Sequence, residues 1–403
     1  MNNRVALFAI CYLATASAGI AASMFSAFLP TIVHELTHQT SREVEAGVGS
    51  IAGAAFLFGW TVGAIVIGAM SDRIGRKMAL FMSVLVCTLG IVATSFAESV
   101  LTLAVIRFVS GAGAGSILLI SAILVAEKWA TGGRARMTGI IANSFPVGLI
   151  VSGTIATLVP DWRLAYLIGG STVVLALAVL IIVPESEWWV ASADDHRQRE
   201  LAREKVLDPA YRRDLVVGTT LFGAMLVGLW AVFVWMPTYV GTLGDPLQAQ
   251  SNRSLTTIML GLGSVAGGFL SGPFAERFGR KGAVRIGYMG CALLTAIIFI
   301  PTHTPGIPLL LMTFSLSVFI GLNQGVLVGY VPELFPTLIR GVATGICFNT
   351  GRLITSVTVI LAGVLITTLG GYRSAILLFG AAYLVGLLFT SRARETRGAQ
   401  LPM

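Results

Sequence analysis

Long apolar runs recur from one end of this chain to the other, and they restrict its fold more than any other feature. Reading runs of about 18–25 residues against a hydrocarbon core about 30 Å thick gives twelve candidate membrane spans. They lie near 5–33, 46–70, 79–97, 100–126, 137–159, 164–183, 215–241, 255–273, 283–301, 307–331, 341–369 and 373–391. Apolar residues make up 55% of the chain and charged residues 11%, whereas a soluble domain carries about 25% charged residues. The expected fold class is therefore an all-α membrane protein of twelve transmembrane helices, in contact with the lipid bilayer throughout. The 46 glycines suit close helix packing.

A net charge of +8 raises the question of nucleic acid, and the distribution of that charge answers it. With the N-terminus placed in the cytoplasm, 21 of the 27 Lys and Arg residues fall on the cytoplasmic side. Arg42, Arg163, Arg253 and Arg373 fall on the other, and Arg107 and Arg352 lie inside spans. Such a bias predicts a multi-pass protein with both termini cytoplasmic. The basic charge is thus a topology signal, and no nucleic-acid partner is expected. Ala16-Ser17-Ala18 has the look of a signal-peptidase site, but the apolar run continues to Val33. An uncleaved first helix is the reading. Cys11, Cys87, Cys291 and Cys347 are scattered within spans, so neither a disulfide nor a metal site is expected of them. His34 and His38 have helical spacing but no evident third ligand, so metal and cofactor are both expected to be absent.

The sequence is also duplicated. Residues 68–77 read Gly-Ala-Met-Ser-Asp-Arg-Ile-Gly-Arg-Lys, and residues 272–281 read Gly-Pro-Phe-Ala-Glu-Arg-Phe-Gly-Arg-Lys, an offset of 204. At an offset of 206, Glu127 matches Glu333, Arg134 matches Arg340, and Asn143 matches Asn349. The correspondence breaks where Pro146 faces Arg352. A polar stretch from Pro184 to Asp214, with a surface helix over much of Arg197–Leu207, divides the two copies. The expected organisation is an N-terminal six-helix bundle (1–190), a cytoplasmic linker (191–213) and a C-terminal six-helix bundle (214–403). Internal symmetry in a membrane protein is the mark of a transporter, because two related halves can rock about a central site. Symmetry-breaking positions are where substrate chemistry is expected.

Twelve spans in six-plus-six with this repeated loop resemble the major facilitator superfamily. Gly68-x-x-x-Asp72-Arg73-x-Gly75-Arg76-Lys77 is similar to its signature loop between helices 2 and 3. Arg107 with Gly111, Gly113 and Gly115 is similar to its fourth-helix arginine and glycine run. Pro184-Glu185-Ser186 and Glu395-Thr396-Arg397-Gly398 resemble the end-of-half signatures of its sugar-porter-like branch. The stretch from Pro332 through Arg340-Gly341 to Cys347-Phe-Asn349-Thr-Gly351-Arg352 resembles the organic-acid:proton symporters, including sialate and aromatic-acid carriers. The resemblance implies proton symport of a small organic anion across the inner membrane, by a functional monomer. Those symporters carry aspartates in the first helix, where this chain reads Ala14 to Met24 without an acid.

Arg352 is the sharpest candidate for substrate binding. It lies twelve residues beyond Arg340, or about 18 Å into a core of about 30 Å. A buried arginine there needs a cavity or a partner, and its planar fork suits a carboxylate. No acidic residue sits mid-span, which points to the substrate as the counter-ion. Arg107, Asn143, Asn349 and Gln324 are further candidates, with helix knitting as the alternative role. Trp230, Phe233, Trp235 and Tyr239 either stack on an aromatic acid or pack the helices. For the gate, the expected residues are Asp72, Arg73, Arg76, Glu127 and Arg134, with Glu276, Arg277, Arg280, Glu333 and Arg340 as their counterparts. Glu127–Arg134 and Glu333–Arg340 read as salt bridges, with Arg73 and Arg76 pairing to carboxylates such as Glu127. No His-Glu-x-x-His, nucleophile elbow or nucleotide loop is present, which argues against an enzyme. An exporter and a facilitative uniporter stay open as alternatives.

Overall fold

A computed structural model describes residues 3–129, 134–191, 205–206, 208–301 and 304–398. The first half contains α1 (Asn3–Thr37), α2 (Arg42–Ile74), α3 (Arg76–Thr94) and α4 (Val100–Lys128). Its fifth span is a broken pair, α5 (Arg134–Ala142) and α6 (Phe145–Leu158). Its sixth is α7 (Trp162–Gly170) and α8 (Val174–Ile182), joined by one 3-10 turn, and short α9 (Glu187–Ala191) follows. The second half runs α10 (Pro209–Gly241), α11 (Ala249–Phe299), α12 (Ile307–Glu333), α13 (Arg340–Thr368), α14 (Tyr372–Gly380) and α15 (Ala382–Phe389). Among the described residues, eleven segments are long and apolar enough to cross a membrane. The longest, the 51-residue α11, is interrupted by non-helical Gly279 (φ 76°). Two spans meet there end to end, so the twelve expected helices are present as two six-helix bundles. The helix expected over 197–207 falls almost wholly outside the described residues.

Helix ends follow local chemistry. Ser41, Ser99 and Asp161 accept backbone N–H bonds from Val44, Thr102 and Leu164, which starts α2, α4 and α7. Gly75 ends α2 with φ 92°, a left-handed conformation that favours glycine. A Cβ at Gly75 would also collide with the Glu185 carboxylate. Within each bundle, glycines set the spacing. Gly59 and Gly63 press on the backbone of Phe108 and Ala112 in α4, and Gly263 and Gly267 press on Phe314 and Val318 in α12. These pairs also stand 204 residues apart, so the duplication extends from the loop into the packing. With lipid on the outside there is little hydrophobic drive between helices, and close backbone approach does the work of association.

The fold has two ends. One, the basic end, carries Arg4, Arg76, Lys128, Arg280 and Arg392. The other, the distal end, carries Glu35, Glu45, Arg163, Arg253 and Gly370.

Candidate functional site

The two halves meet along two seams. In the first, α6 lies on α11: a Cβ on Gly153 would stand 3.0 Å from Ile258 N, and one on Gly261 2.9 Å from Ile150 N. The Gln250 amide donates to Ala156 O at 3.5 Å, and Asn143 Nδ2 donates to Val265 O at 3.1 Å. In the second seam, α2 lies on the distal half of α13, with Gly53 against Val359 and Gly363 against Ser50. Arg42 Nη1 donates to Gly370 O at 3.1 Å, and Tyr372 OH donates to Glu45 Oε2 at 2.9 Å. The distal end is therefore closed by contacts between halves. Toward the basic end of α13, no atom of the described residues outside the local helix stands within 4 Å of where a Cβ on Gly341 or Gly345 would be.

Arg352 sits between these seams. Its Nη1 donates to the neutral Asn349 Oδ1 at 3.1 Å, and its guanidinium carbon lies 6.0 Å from the Trp60 ring centroid. It has no ion-pair partner among the described residues. Trp60 is the hub of an aromatic group drawn from both halves. Phe145 meets it edge-on at 5.5 Å, Trp230 at 6.3 Å and Phe56 at 5.8 Å. The Trp60 Nε1 hydrogen is buried without an acceptor among the described residues. Phe145 reaches this group because the fifth span breaks at Asn143–Ser144, immediately before it. The arrangement combines a planar cation, an aromatic wall and an unused N–H donor, which together suit a flat anion.

The other predicted binding residues separate. Asn349 joins the site through Arg352. Gln324, half-buried on α12, makes no hydrogen bond among the described residues. Asn143 is placed in the seam by its bond to Val265. Arg107 is 3% exposed. Its Nη1 donates to Ala21 O, and its guanidinium lies 4.2 Å from the Phe56 centroid and 4.9 Å from that of Phe25. It thereby ties α4 to α1 and α2. Asn323 is fully buried, and with its amide turned it bonds Val284 O and Tyr288 N within the second half. Trp235 stacks at 5.8 Å on Tyr372, and Tyr239 packs at 5.5 Å on Phe299. Of the aromatic cluster on α10, Trp230 is the member at the site.

At the basic end the repeated motifs build one device twice. Glu185 accepts the backbone N–H of Arg76 at 2.8 Å and of Lys77 at 3.2 Å. Glu395 accepts those of Arg280 at 2.9 Å and Lys281 at 3.0 Å. Each carboxylate thus caps the helix that begins after the positive-φ glycine. Burial pushes the Glu395 carboxyl up, but four backbone N–H groups outweigh it and hold it below the usual carboxylate range. Ser186 Oγ then donates to Glu127 at 2.5 Å, and Thr396 Oγ1 to Glu333 at 2.5 Å.

The ion pairs here depart from expectation. Arg76 pairs with Asp72 at 2.7 Å, one turn away on the other side of the glycine break. Arg280 pairs with Glu333 at 3.2 and 3.3 Å through both oxygens. Glu333 is therefore taken, and Arg340 donates instead to Phe335 O at 3.2 Å, so the expected Glu333–Arg340 bridge is absent. Glu276 and Arg73 are exposed, and Arg277 lies 5.4 Å from the Phe278 ring centroid. The side chain of Arg134 lies outside the described residues. These named pairs run within a half, while the distal contacts of Glu45 and Arg42 run between halves.

Sequence reading missed Trp60, Phe56 and Phe145, which are indistinguishable from packing residues in an apolar run. It also missed Glu45 and Tyr372. A signal existed for the last pair, since Trp162-Arg163 and Tyr372-Arg373 occupy equivalent places. Arg163 donates to Ser95 O at 2.5 Å, and Arg373 to Phe299 O at 2.8 Å. Trp162, however, bonds Glu35 within its own half at 2.5 Å, where Tyr372 crosses to Glu45.

A family profile described as Major Facilitator Superfamily matches residues 11–357 and 254–402. The chain is 28% identical over 389 residues to the cis,cis-muconate transport protein of Acinetobacter baylyi, covering 94% of this chain and 91% of that one. It is 29% identical over 371 residues to the gentisate transporter of Corynebacterium glutamicum, covering 86% and 79%. A crystal structure of the D-xylose-proton symporter superposes with a TM-score of 0.80 at 20% identity, covering 98% of this chain and 99% of that one.

Proposed function

The chain belongs to the Major Facilitator Superfamily, and from that premise we propose that it carries a small planar carboxylate across the inner membrane by alternating access. The observation that carries the reading is Arg352, a cation beside Trp60 with a neutral amide as its hydrogen-bond partner. A charge at that depth is costly to hold, by about 2.5–3.5 kcal/mol on insertion scales. The face of Trp60 offsets part of this, about 0.5–2 kcal/mol. A carboxylate supplies the remainder through charge-assisted bonds to the guanidinium. Trp60, Phe145 and Trp230 then bound a flat slot for the conjugated part of the anion. The muconate and gentisate carriers among the relatives fit that chemistry.

Positive charge concentrated at the basic end supports placing it, and both termini, in the cytoplasm. The conformation described, closed at the distal seam, is then the one that exchanges substrate with the cytoplasm. Residues 191–213 link the halves. The Asp72–Arg76 and Arg280–Glu333 groups re-pair across the halves when that side closes. An inward proton gradient drives uptake, in line with the resemblance to proton symporters.

The test is uptake of labelled gentisate, cis,cis-muconate and xylose into proteoliposomes by wild type and Arg352→Ala, with and without an inward proton gradient. Carboxylate uptake that rises with the gradient and falls at least about tenfold in the variant is the expected result, since one lost charged hydrogen bond is worth about 1.5–3 kcal/mol. Xylose uptake that survives the substitution would overturn the carboxylate reading. Carboxylate uptake indifferent to the gradient would overturn the coupling.

A further inference from the structure

The basic end of the second half carries a cleft that none of the residues around Arg352 line. The first turns of α10 and the end of α15 enclose an open cleft of about 420 Å³, lined by Arg212, Arg213, Val216, Phe389 and Arg392. All three arginines are exposed. Arg213 Nη2 donates to Arg392 O at 3.2 Å, which fixes the two helices at the cleft. The Arg392 guanidinium lies 4.9 Å from the Phe389 ring centroid. Among the described residues, the nearby carboxylates Asp214 and Asp208 are engaged elsewhere: Asp214 pairs with Arg394 at 3.1 Å, and Asp208 caps α10 through Ala210 N at 2.8 Å. Arg212 and Arg392 have no ion-pair partner among the described residues.

The walls decide what this charge is for. Val216 is 50% exposed, and Val385, one turn from Phe389 on the same face of α15, is 45% exposed. An apolar strip therefore leads from the arginines along the membrane-facing surface. A soluble anion would use the guanidinium groups and leave the strip idle. From the union of the two we infer that this cleft binds an anionic phospholipid, its phosphate on Arg212, Arg213 and Arg392 and an acyl chain along Val216, Phe389 and Val385. Because the cleft joins the start of the second half to the end of its last helix, a bound lipid braces that half as a unit.

The test is native mass spectrometry of the full chain in detergent, titrated with phosphatidylglycerol, phosphatidylcholine or inorganic phosphate. Wild type and a triple variant, Arg212→Gln with Arg213→Gln and Arg392→Gln, are compared. Wild type retains phosphatidylglycerol in preference to phosphatidylcholine. Each arginine removed weakens retention by about fivefold, as expected for single charges near an anionic surface. Equal retention by wild type and triple variant overturns the inference. So does occupancy by inorganic phosphate that displaces the lipid, which would make this a soluble-anion site. Arg212→Gln alone removes no hydrogen bond or ion pair among the described residues and serves if the triple variant fails to fold. In that case retention unchanged within about twofold is the overturning result.

Discussion

Removing one hydroxyl at the distal seam should shift the balance between the carrier's two states. Tyr372 OH donates to Glu45 Oε2 at 2.9 Å across the halves, and Arg42 and Arg253 lie near the same carboxylate. Tyr372→Phe deletes the donor but keeps the ring stacked on Trp235. A hydrogen bond to a charged group is worth about 1.5–3 kcal/mol, and Glu45 is only half-buried, which puts the loss near the lower figure. About 1.4 kcal/mol is tenfold in an equilibrium, so the odds of distal opening should rise by about tenfold. The assay is pulsed electron-electron resonance between spin labels at Gln39→Cys and Leu247→Cys, on exposed turns of opposite halves. The four native cysteines are buried and stay unlabelled. In Tyr372→Phe the long-distance population should grow at the expense of the short one. Glu45→Gln should move it the same way by less, because its amide oxygen still accepts from Tyr372. An odds ratio unchanged within about twofold in Tyr372→Phe, or a shift toward closure, would refute the latch.

Three other expectations are tested by melting and transport of purified protein. Arg107→Ala should lower stability by at least about 2 kcal/mol, through a cavity and the lost hydrogen bond to the Ala21 carbonyl, while substrate KM in the folded fraction changes less than about twofold. Gly75→Ala should cost about 1–3 kcal/mol, because the φ of 92° is strained for alanine and its Cβ would displace the Glu185 cap. Glu395→Gln should cost about 1 kcal/mol at pH 7. The folded-state pKa of Glu395 is depressed, so its contribution is present above the unfolded carboxylate value and lost as pH falls through the folded one. Near pH 3 the variant and wild type should therefore melt closer together; a difference that widens on acidification would contradict the sign.

The scaffold was legible because each of its parts has a one-dimensional signature. Apolar runs fix the spans, the excess of basic residues at alternate loops fixes an orientation to test, and an offset of 204 reveals the duplication down to Gly59 and Gly263. Arg352 was legible for a related reason: a charge inside an apolar run stands out without any knowledge of its neighbours. Trp60 and Phe145 were not legible, since their significance comes from rotation about two helices and from a break at Asn143–Ser144 that Pro146 marks in the sequence without showing where Phe145 points. The motif Pro184-Glu185-Ser186 could be noticed in the sequence, but not explained. Its glutamate acts on Arg76 and Lys77, 109 and 108 residues away, and only the folded chain brings them together. Ion-pair partners were the least predictable element. Glu333 chose Arg280 over Arg340 because the glycine break points Arg280 at it, and spacing along the chain carries no record of that angle.

The most direct measurement is the equilibrium Kd of gentisate and of its uncharged amide analogue, read from tryptophan fluorescence in wild type and Arg352→Gln. If Arg352 receives the carboxylate, wild type prefers the acid by at least about tenfold, the worth of one charge-assisted bond, and Arg352→Gln binds acid and amide alike. A preference for the acid that persists in Arg352→Gln would contradict the account.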